Sequence, residues 1–378
     1  METRASIHRL IALLLVAQLL CLPAQALVNI NDGKNQIFVV GSAGIVWDSN
    51  IFASNGGQGD YIYSASIGAE YLRRAGLITF NGSVFLDASQ FGEYRSENFE
   101  NPRFTAEFSK QSGRTTGALN LGAARQSRAD TAANIRSESW VYDAGINLKY
   151  PVIERYTLTG GLSYNRLDFV NNALLVDLRT YSANLDVFYI YTSERDLVGG
   201  YRVRWGESSA STTFVDHAFT AGVSGKILPK VSGNVRAGYQ VRVPSGSNED
   251  SYHAFTASIG ATWNATRRTN VRLQGSKDFS TTSTNINVDG TSFDVDVQHA
   301  VNSKFALYAG AGYGVNRFMG APGQGRRDTF FTWNAGAGYT LNEHFKAMFT
   351  YSYYRNWSNV AFSDFRRNSV NLSLSSRF

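Results

Sequence analysis

Histidine is the first place to look for acid–base chemistry, and four histidines lie beyond the first thirty residues: His217, His253, His299 and His344. None has a serine or an acid at a catalytic spacing. His217 and His253 stand beside aromatics and His299 and His344 near turns, so they read as solvated residues at the ends of elements. Asp294-x-Asp296 sets two carboxylates on one face of an extended segment, a pattern open to a metal or an acid/base pair. No His/Cys cluster supports it, so polar lining is the reading taken. The run Gly320-Ala321-Pro322-Gly323-Gln324-Gly325 lacks the Lys-Ser/Thr ending of a phosphate cradle. The expectation is no catalytic residue, no metal and no cofactor. What remains is a set of charges and rings on polar faces: Arg202, Arg204, Arg236, Arg242 and Arg272, Asp143, Asp186, Asp294 and Asp296, and Tyr308 and Tyr354.

The elements that carry these residues alternate with a period of two. Val370, Leu372, Leu374 and Phe378 share one parity, and Asn371, Ser373, Ser375 and Arg377 share the other. That is a strand with one apolar and one polar face. Similar segments recur from Gln36–Trp47 onward, about eighteen in all. Tyr61 to Tyr71, Phe305 to Tyr313 and Phe331 to Tyr339 place aromatics at the ends of the apolar face and small or aliphatic residues between them. Lipid-facing strands show this because rings settle at the two water interfaces. The segment length suits a tilted strand crossing hydrocarbon, about 9–11 residues. Connections alternate between short, as at Arg73–Gly76, and longer, as at Asp48–Asp60, Ser280–Asn285 and Phe318–Asp328. A soluble β-sandwich would carry more turn prolines than the 6 present, and few aromatic strand ends. Free strand edges are costly in lipid, so the sheet must close. The predicted fold is all-β: a transmembrane antiparallel barrel of about eighteen strands, an up-and-down meander.

The first residues are a targeting segment. Arg4 and Arg9 precede an apolar run from Leu10 to Leu22, and Ala24-Gln25-Ala26 is a small-x-small cleavage site. This predicts a signal peptide over 1–26 and a barrel over 27–378. The single cysteine, Cys21, falls inside it, so the barrel has no disulfide to rely on. The net charge of +6 becomes +5 after removal of Glu2, Arg4 and Arg9 (34 basic minus 29 acidic residues). No Lys/Arg run exceeds two residues, so nucleic acid is not an expected partner. Outer-membrane lipid is one.

Within a barrel of this size an aqueous channel is expected. The charged faces then brace a wet interior, or present an arginine-rich wall to anionic or hydroxyl-rich solutes. Inward Tyr308 and Tyr354 are candidates for stacking on sugar rings. The connections at Asp48–Asp60 and Phe318–Asp328 are the ones expected to narrow the bore.

Two short motifs carry a family resemblance. Trp47-Asp48-Ser49-Asn50-Ile51-Phe52 and Arg366-Arg367-Asn368-Ser369-Val370 resemble the opening and the close of the exopolysaccharide-operon porins, the putative beta-barrel porin 2 family. The terminal Phe378 resembles the signal read by the barrel-insertion machinery in bacterial outer-membrane barrels. The resemblance implies location in the Gram-negative outer membrane and a conduit for exopolysaccharide, with a periplasmic polysaccharide-export partner and saccharide in the lumen. A general diffusion porin for small solutes is the alternative, and a barrel hydrolase acting at the outer mouth is a third. From the residues alone, Asp48 and Asn50 equally suit capping of a turn at the strand end.

Overall fold

The structure, a computed structural model, describes residues 28–30, 34–170, 174–245, 250–320 and 325–378. The predicted signal segment with Cys21, and residues 321–324 of the glycine-rich run, lie outside the described residues. Nineteen strands follow in chain order: β1 (Val28–Ile30), β2 (Asn35–Asp48), β3 (Asp60–Ala75), β4 (Ile78–Phe91), β5 (Phe99–Lys110), β6 (Thr116–Asp130), β7 (Ile135–Ile153), β8 (Tyr156–Val170), β9 (Leu178–Thr192), β10 (Arg195–Ser208), β11 (Thr213–Leu228), β12 (Val231–Ser245), β13 (Tyr252–Trp263), β14 (Thr269–Thr281), β15 (Asn287–Ala300), β16 (Phe305–Met319), β17 (Arg327–Thr340), β18 (Phe345–Ser358) and β19 (Phe365–Arg377). Each of β2 to β19 pairs antiparallel with its neighbour, and β19 returns to β2 with Ser369 opposite Asp48 and Arg377 opposite Val40. The result is a closed barrel of 18 strands.

The parity read from the sequence sets which face meets lipid. Tyr61, Tyr63, Ile67, Phe219, Tyr239, Phe255, Tyr313 and Leu372 all lie exposed on the outer surface. An apolar surface this extensive is stable only against lipid. Its aromatics form belts across neighbouring strands. Tyr164, Tyr181 and Trp205 follow one another on β8, β9 and β10 with ring centroids 5.0 and 5.3 Å apart, and Tyr71, Phe80 and Phe108 do the same near the short turns at 5.8 and 4.7 Å. The short turns are set by local chemistry. Asn302 Oδ1 accepts the backbone N–H groups of Lys304 and Phe305, and Asn342 Oδ1 repeats this with His344 and Phe345.

Two features differ from the alternation-based reading. The strands run past the apolar alternation on the long-loop side: β6 continues to Asp130 and β7 begins at Ile135. Beyond the lipid both faces are wet, so the ladder persists although the apolar parity ends. The second is β1, too short to show a period. It pairs with β2 through Val28↔Ile37 and Ile30↔Asn35, on the edge just past the point where Phe378 exchanges both backbone hydrogen bonds with Val39 at 2.9 Å.

Candidate functional site

The inner face is shaped first by a departure of β14 from the wall. Pairing between β13 and β14 stops at Ala257↔Lys277, while β14 and β15 stay paired up to Thr281↔Asn287. The fork is bridged by the Thr256 hydroxyl, which donates to the Lys277 carbonyl at 2.9 Å. Beyond it the β14–β15 hairpin crosses the mouth as a tongue. Ser283 O accepts from Val176 N at 2.8 Å and Asn285 Oδ1 from the Thr212 hydroxyl at 2.7 Å, contacts with the β8–β9 and β10–β11 connections, several strands away round the wall.

Arginines on the inner face of the wall hold the tongue down. Arg242 donates from Nε and Nη2 to the two oxygens of Asp216 at 2.7 and 2.9 Å, and from Nη1 to Ser280 O and Asn287 Oδ1 at 2.9 and 2.8 Å. Its guanidinium lies 3.9 Å from the Phe214 ring centroid. Arg204 donates to Asp216 at 2.7 Å and to the Phe279 carbonyl at 2.6 Å, and Arg202 pairs with Asp278 at 2.8 Å. Phe279 is 2% exposed, and Arg242, Asp216 and Gln240 are 0% exposed, beneath the tongue. The Gln240 amide, buried there, makes no hydrogen bond through either of its polar atoms.

These contacts correct the picture of an open arginine wall. Arg242 is on the lumen face, but the tongue covers it, so it does not line the open bore. Arg202 and Arg204 are engaged with Asp278 and Asp216, so that with Arg242 three arginines share two carboxylates, and Arg236 is paired with Asp186 at 2.7 Å. Arg272 is exposed and in no ion pair, and neither are Asp143, Asp294 and Asp296, among the described residues. Asp216 and Asp278, the acids that organise the cluster, share the lumen parity of their strands but were not among the expected residues. The tongue is a stretch other than the two anticipated, although the connections at Asp48–Asp60 and Phe318–Asp328 both contribute to a second cap.

In that second cap, connections from around the mouth converge. Asn134 Nδ2 donates to Ala53 O at 2.6 Å, and its Oδ1 accepts from the Ser363 hydroxyl at 2.6 Å. Arg326 reaches Ala132 O at 3.0 Å while paired with Asp328 at 2.7 Å. Ile51, Ala53, Asn50 and Ser363 are nearly or fully buried here. The two resemblance motifs meet at its edge. Asp48 pairs with Arg367, Ser49 Oγ accepts from Asn368 N at 2.7 Å, and Asn50 Nδ2 donates to Ser54 O at 2.8 Å and to Arg366 O at 3.2 Å. Asp48 Oδ1 also accepts from Asn50 N at 2.9 Å, the turn-capping role.

Of the two inward tyrosines, Tyr308 sits near the short-turn side with Lys346 Nζ 3.4 Å from its hydroxyl. Tyr354 lies between two further inward rings that the sequence reading passed over, Phe330 at 6.1 Å and Phe365 at 5.5 Å, with ring planes within 14° and 23° of its own. Phe378 is at the opposite rim, stacked on His344 at 5.0 Å and edge-on to Phe345 at 5.6 Å. His217 and His253 are on the outer surface, each hydrogen-bonded at 2.8 Å to a neighbouring tyrosine, Tyr201 and Tyr239. His299 faces the Thr269 hydroxyl at 2.9 Å. No group able to hold a metal is found among the described residues.

A closed antiparallel barrel with an apolar, aromatic-belted outer face and a polar, constricted lumen has the fold of an outer-membrane β-barrel. A family model described as Putative beta-barrel porin 2 matches residues 215–378, from β11 to β19. No curated protein matches. Among solved structures the chain is similar to OccK2 (OpdF) of Pseudomonas aeruginosa, at 12% identity over 91% of this chain and 97% of that one, with a TM-score of 0.50. It is also similar to OccAB4 of Acinetobacter baumannii, at 12% identity over 91% and 98% with a TM-score of 0.51. The FrpB iron transporter of Neisseria meningitidis gives 8% identity over 90% and 81% with a TM-score of 0.50. At these identities the likeness is one of fold.

Proposed function

We propose that this barrel is a porin, a constricted channel for small polar solutes, with the β14–β15 tongue as its movable constriction. The observation that carries the reading is the tongue itself: a bore crossed by a hairpin and roofed by converging loops suits passage of single small molecules better than an open conduit. Mobility is supported by what the inward position leaves unmade. The edge of β13 at His253–Thr256 has no β14 ladder beside it, and the buried Gln240 amide is unsatisfied, which costs about 1–3 kcal/mol. The lock of Arg204 and Arg242 on Asp216 offsets these losses.

Export of exopolysaccharide, with a periplasmic export partner, is the second reading. It is favoured by the meeting of the two resemblance motifs at the barrel seam and by the family match over residues 215–378. The two readings separate in a deletion strain. Slowed uptake of small sugars with unchanged surface and secreted polysaccharide supports the solute channel; loss of polysaccharide with unchanged uptake overturns it in favour of export.

A further inference from the structure

The inner face from β15 to β19 differs from the rest of the lumen. β16 turns Gly310, Gly312 and Gly314 inward, so it offers no side chain there. Its neighbours lean over the bare strand. A Cβ placed at Gly310 would lie 2.7 Å from Asn334 Nδ2 and 2.7 Å from Asp296 Oδ1, and one at Gly312 would lie 2.3 Å from Asp294 Oδ1 and 3.0 Å from Thr332 Oγ1. Two carboxylates, an amide and a hydroxyl are thus gathered on a floor of glycine backbone. Beside them a cavity of about 400 Å³ is lined by Thr332, Asn334, Ser352, Tyr354, Phe365 and Arg367. Ala53 and Thr131, from two of the connections at the mouth, also border it. That size falls within the range of small-molecule sites, about 300–1,000 Å³.

The chemistry on offer is specific. The rings of Phe330, Tyr354 and Phe365 form a stacked run on three adjacent strands, in a lumen where most other inward residues are polar. Arg367 is already paired with Asp48, so it adds no free positive charge; Asp296 stands opposite Arg272 in the β14–β15 ladder, and Asp294, opposite Gln274, is in no ion pair among the described residues, so the charge left over on this floor is negative. An anionic ligand is therefore disfavoured. A solute with an apolar C–H face for the rings and several hydroxyls for amide, hydroxyl and carboxylate groups fits both halves. We propose that this cavity is a binding step for neutral saccharide units in transit, an assignment that rests on the channel reading above and names the solute class.

The test uses the purified full-length protein in two assays. In planar bilayers, linear glucose oligosaccharides are added while ionic current is recorded; in detergent, the same sugars are titrated calorimetrically. The expected result is concentration-dependent block and saturable binding. Tyr354→Ala and Asn334→Ala should each weaken both by about tenfold, the loss of roughly 1.4 kcal/mol. Tyr354→Phe, which keeps the ring, should stay within about threefold, a difference of under 1 kcal/mol. Ser83→Ala, on the inner face of β4 and outside the cavity lining, is the control that should leave current and block unchanged. A conducting channel with no block and no binding, or a Tyr354→Ala barrel that binds like the parent, overturns the site. Saturable binding without ionic current supports the site and overturns the channel reading instead.

Discussion

Asp48 and Arg367, 319 positions apart in the chain, form an ion pair across the seam between β2 and β19, with Arg367 Nε 3.0 and 2.8 Å from the two carboxylate oxygens. Asp48 is 1% exposed, so its charge depends on this partner and on the Asn50 backbone N–H. The seam is the one junction in the barrel made between strands far apart in sequence, and here it is reinforced at the mouth.

Removing Arg367 leaves the buried Asp48 carboxylate with the Asn50 N–H alone, and because Arg367 is itself 37% exposed the cost falls below the roughly 3–5 kcal/mol of a fully buried pair. Arg367→Ala should therefore lower the temperature at which the barrel loses its heat-modifiable mobility on gels. Asp48→Asn in the same background should recover part of the loss, because the stranded charge is gone. Additive effects in the double variant would show that the two residues do not act as a pair.

The tongue is held chiefly by Arg242 and Arg204 on Asp216. Arg242→Ala deletes three contacts to the tongue (Ser280, Thr281 and Asn287) as well as the pair with Asp216. The expected outcome is a larger single-channel conductance. A cysteine pair gives an independent readout. Carried past Ala257↔Lys277, the β13–β14 register sets Ala254 opposite Ser280. Cysteines at these two positions should stay reduced in the parent and cross-link in the Arg242→Ala background. Equal cross-linking in both would mean that the arginine does not hold the tongue.

The barrel and its faces were legible in the sequence because lipid demands a strict period: each strand must keep rings and aliphatics on one side, and the chain does so from Ile37 to Leu374. The tongue was not, because β14 keeps its alternation past the fork, with Phe279 and Thr281 on one parity and Asp278 and Ser280 on the other. The same pattern serves a strand in the wall and a hairpin whose outer face packs on the inner wall. One signal was present. Lys277, Asp289 and Asn287 stand on the lipid parity, and Lys277 and Asp289 pair at 2.6 Å. Charges on that face mark the place where it ceases to meet lipid. The ion pairing of Arg202, Arg204 and Arg236 was out of reach for a different reason, since it depends on which polar faces the closed barrel sets side by side.

The fork also predicts an uneven pattern of hydrogen exchange. Ala257–Trp263 lie between two strands, whereas His253–Thr256 have the β12 ladder on one side and no β14 ladder on the other. Amides on the open edge should exchange faster than those of the paired half by orders of magnitude, since protection follows local opening energies. Uniform protection along β13 would place β14 back in the wall.

Phe378 closes the seam at the opposite rim. Its N–H and carbonyl both bond to Val39, its ring stacks on His344 and meets Phe345 edge-on, and β1 continues along β2 from Ile37. Phe378→Asp replaces two ring contacts, worth about 0.5–1.5 kcal/mol each, with a carboxylate beside the apolar Phe345 ring. That loss is small against the stability of a closed barrel. We propose that the larger effect is on insertion, with the aromatic of Phe378 as the group presented to the assembly machinery. The variant should reach the membrane in reduced amount, while the barrels that do insert conduct like the parent. Quantifying heat-modifiable protein alongside single-channel conductance separates the two effects. Full insertion with altered conductance would assign Phe378 to the channel and not to its assembly.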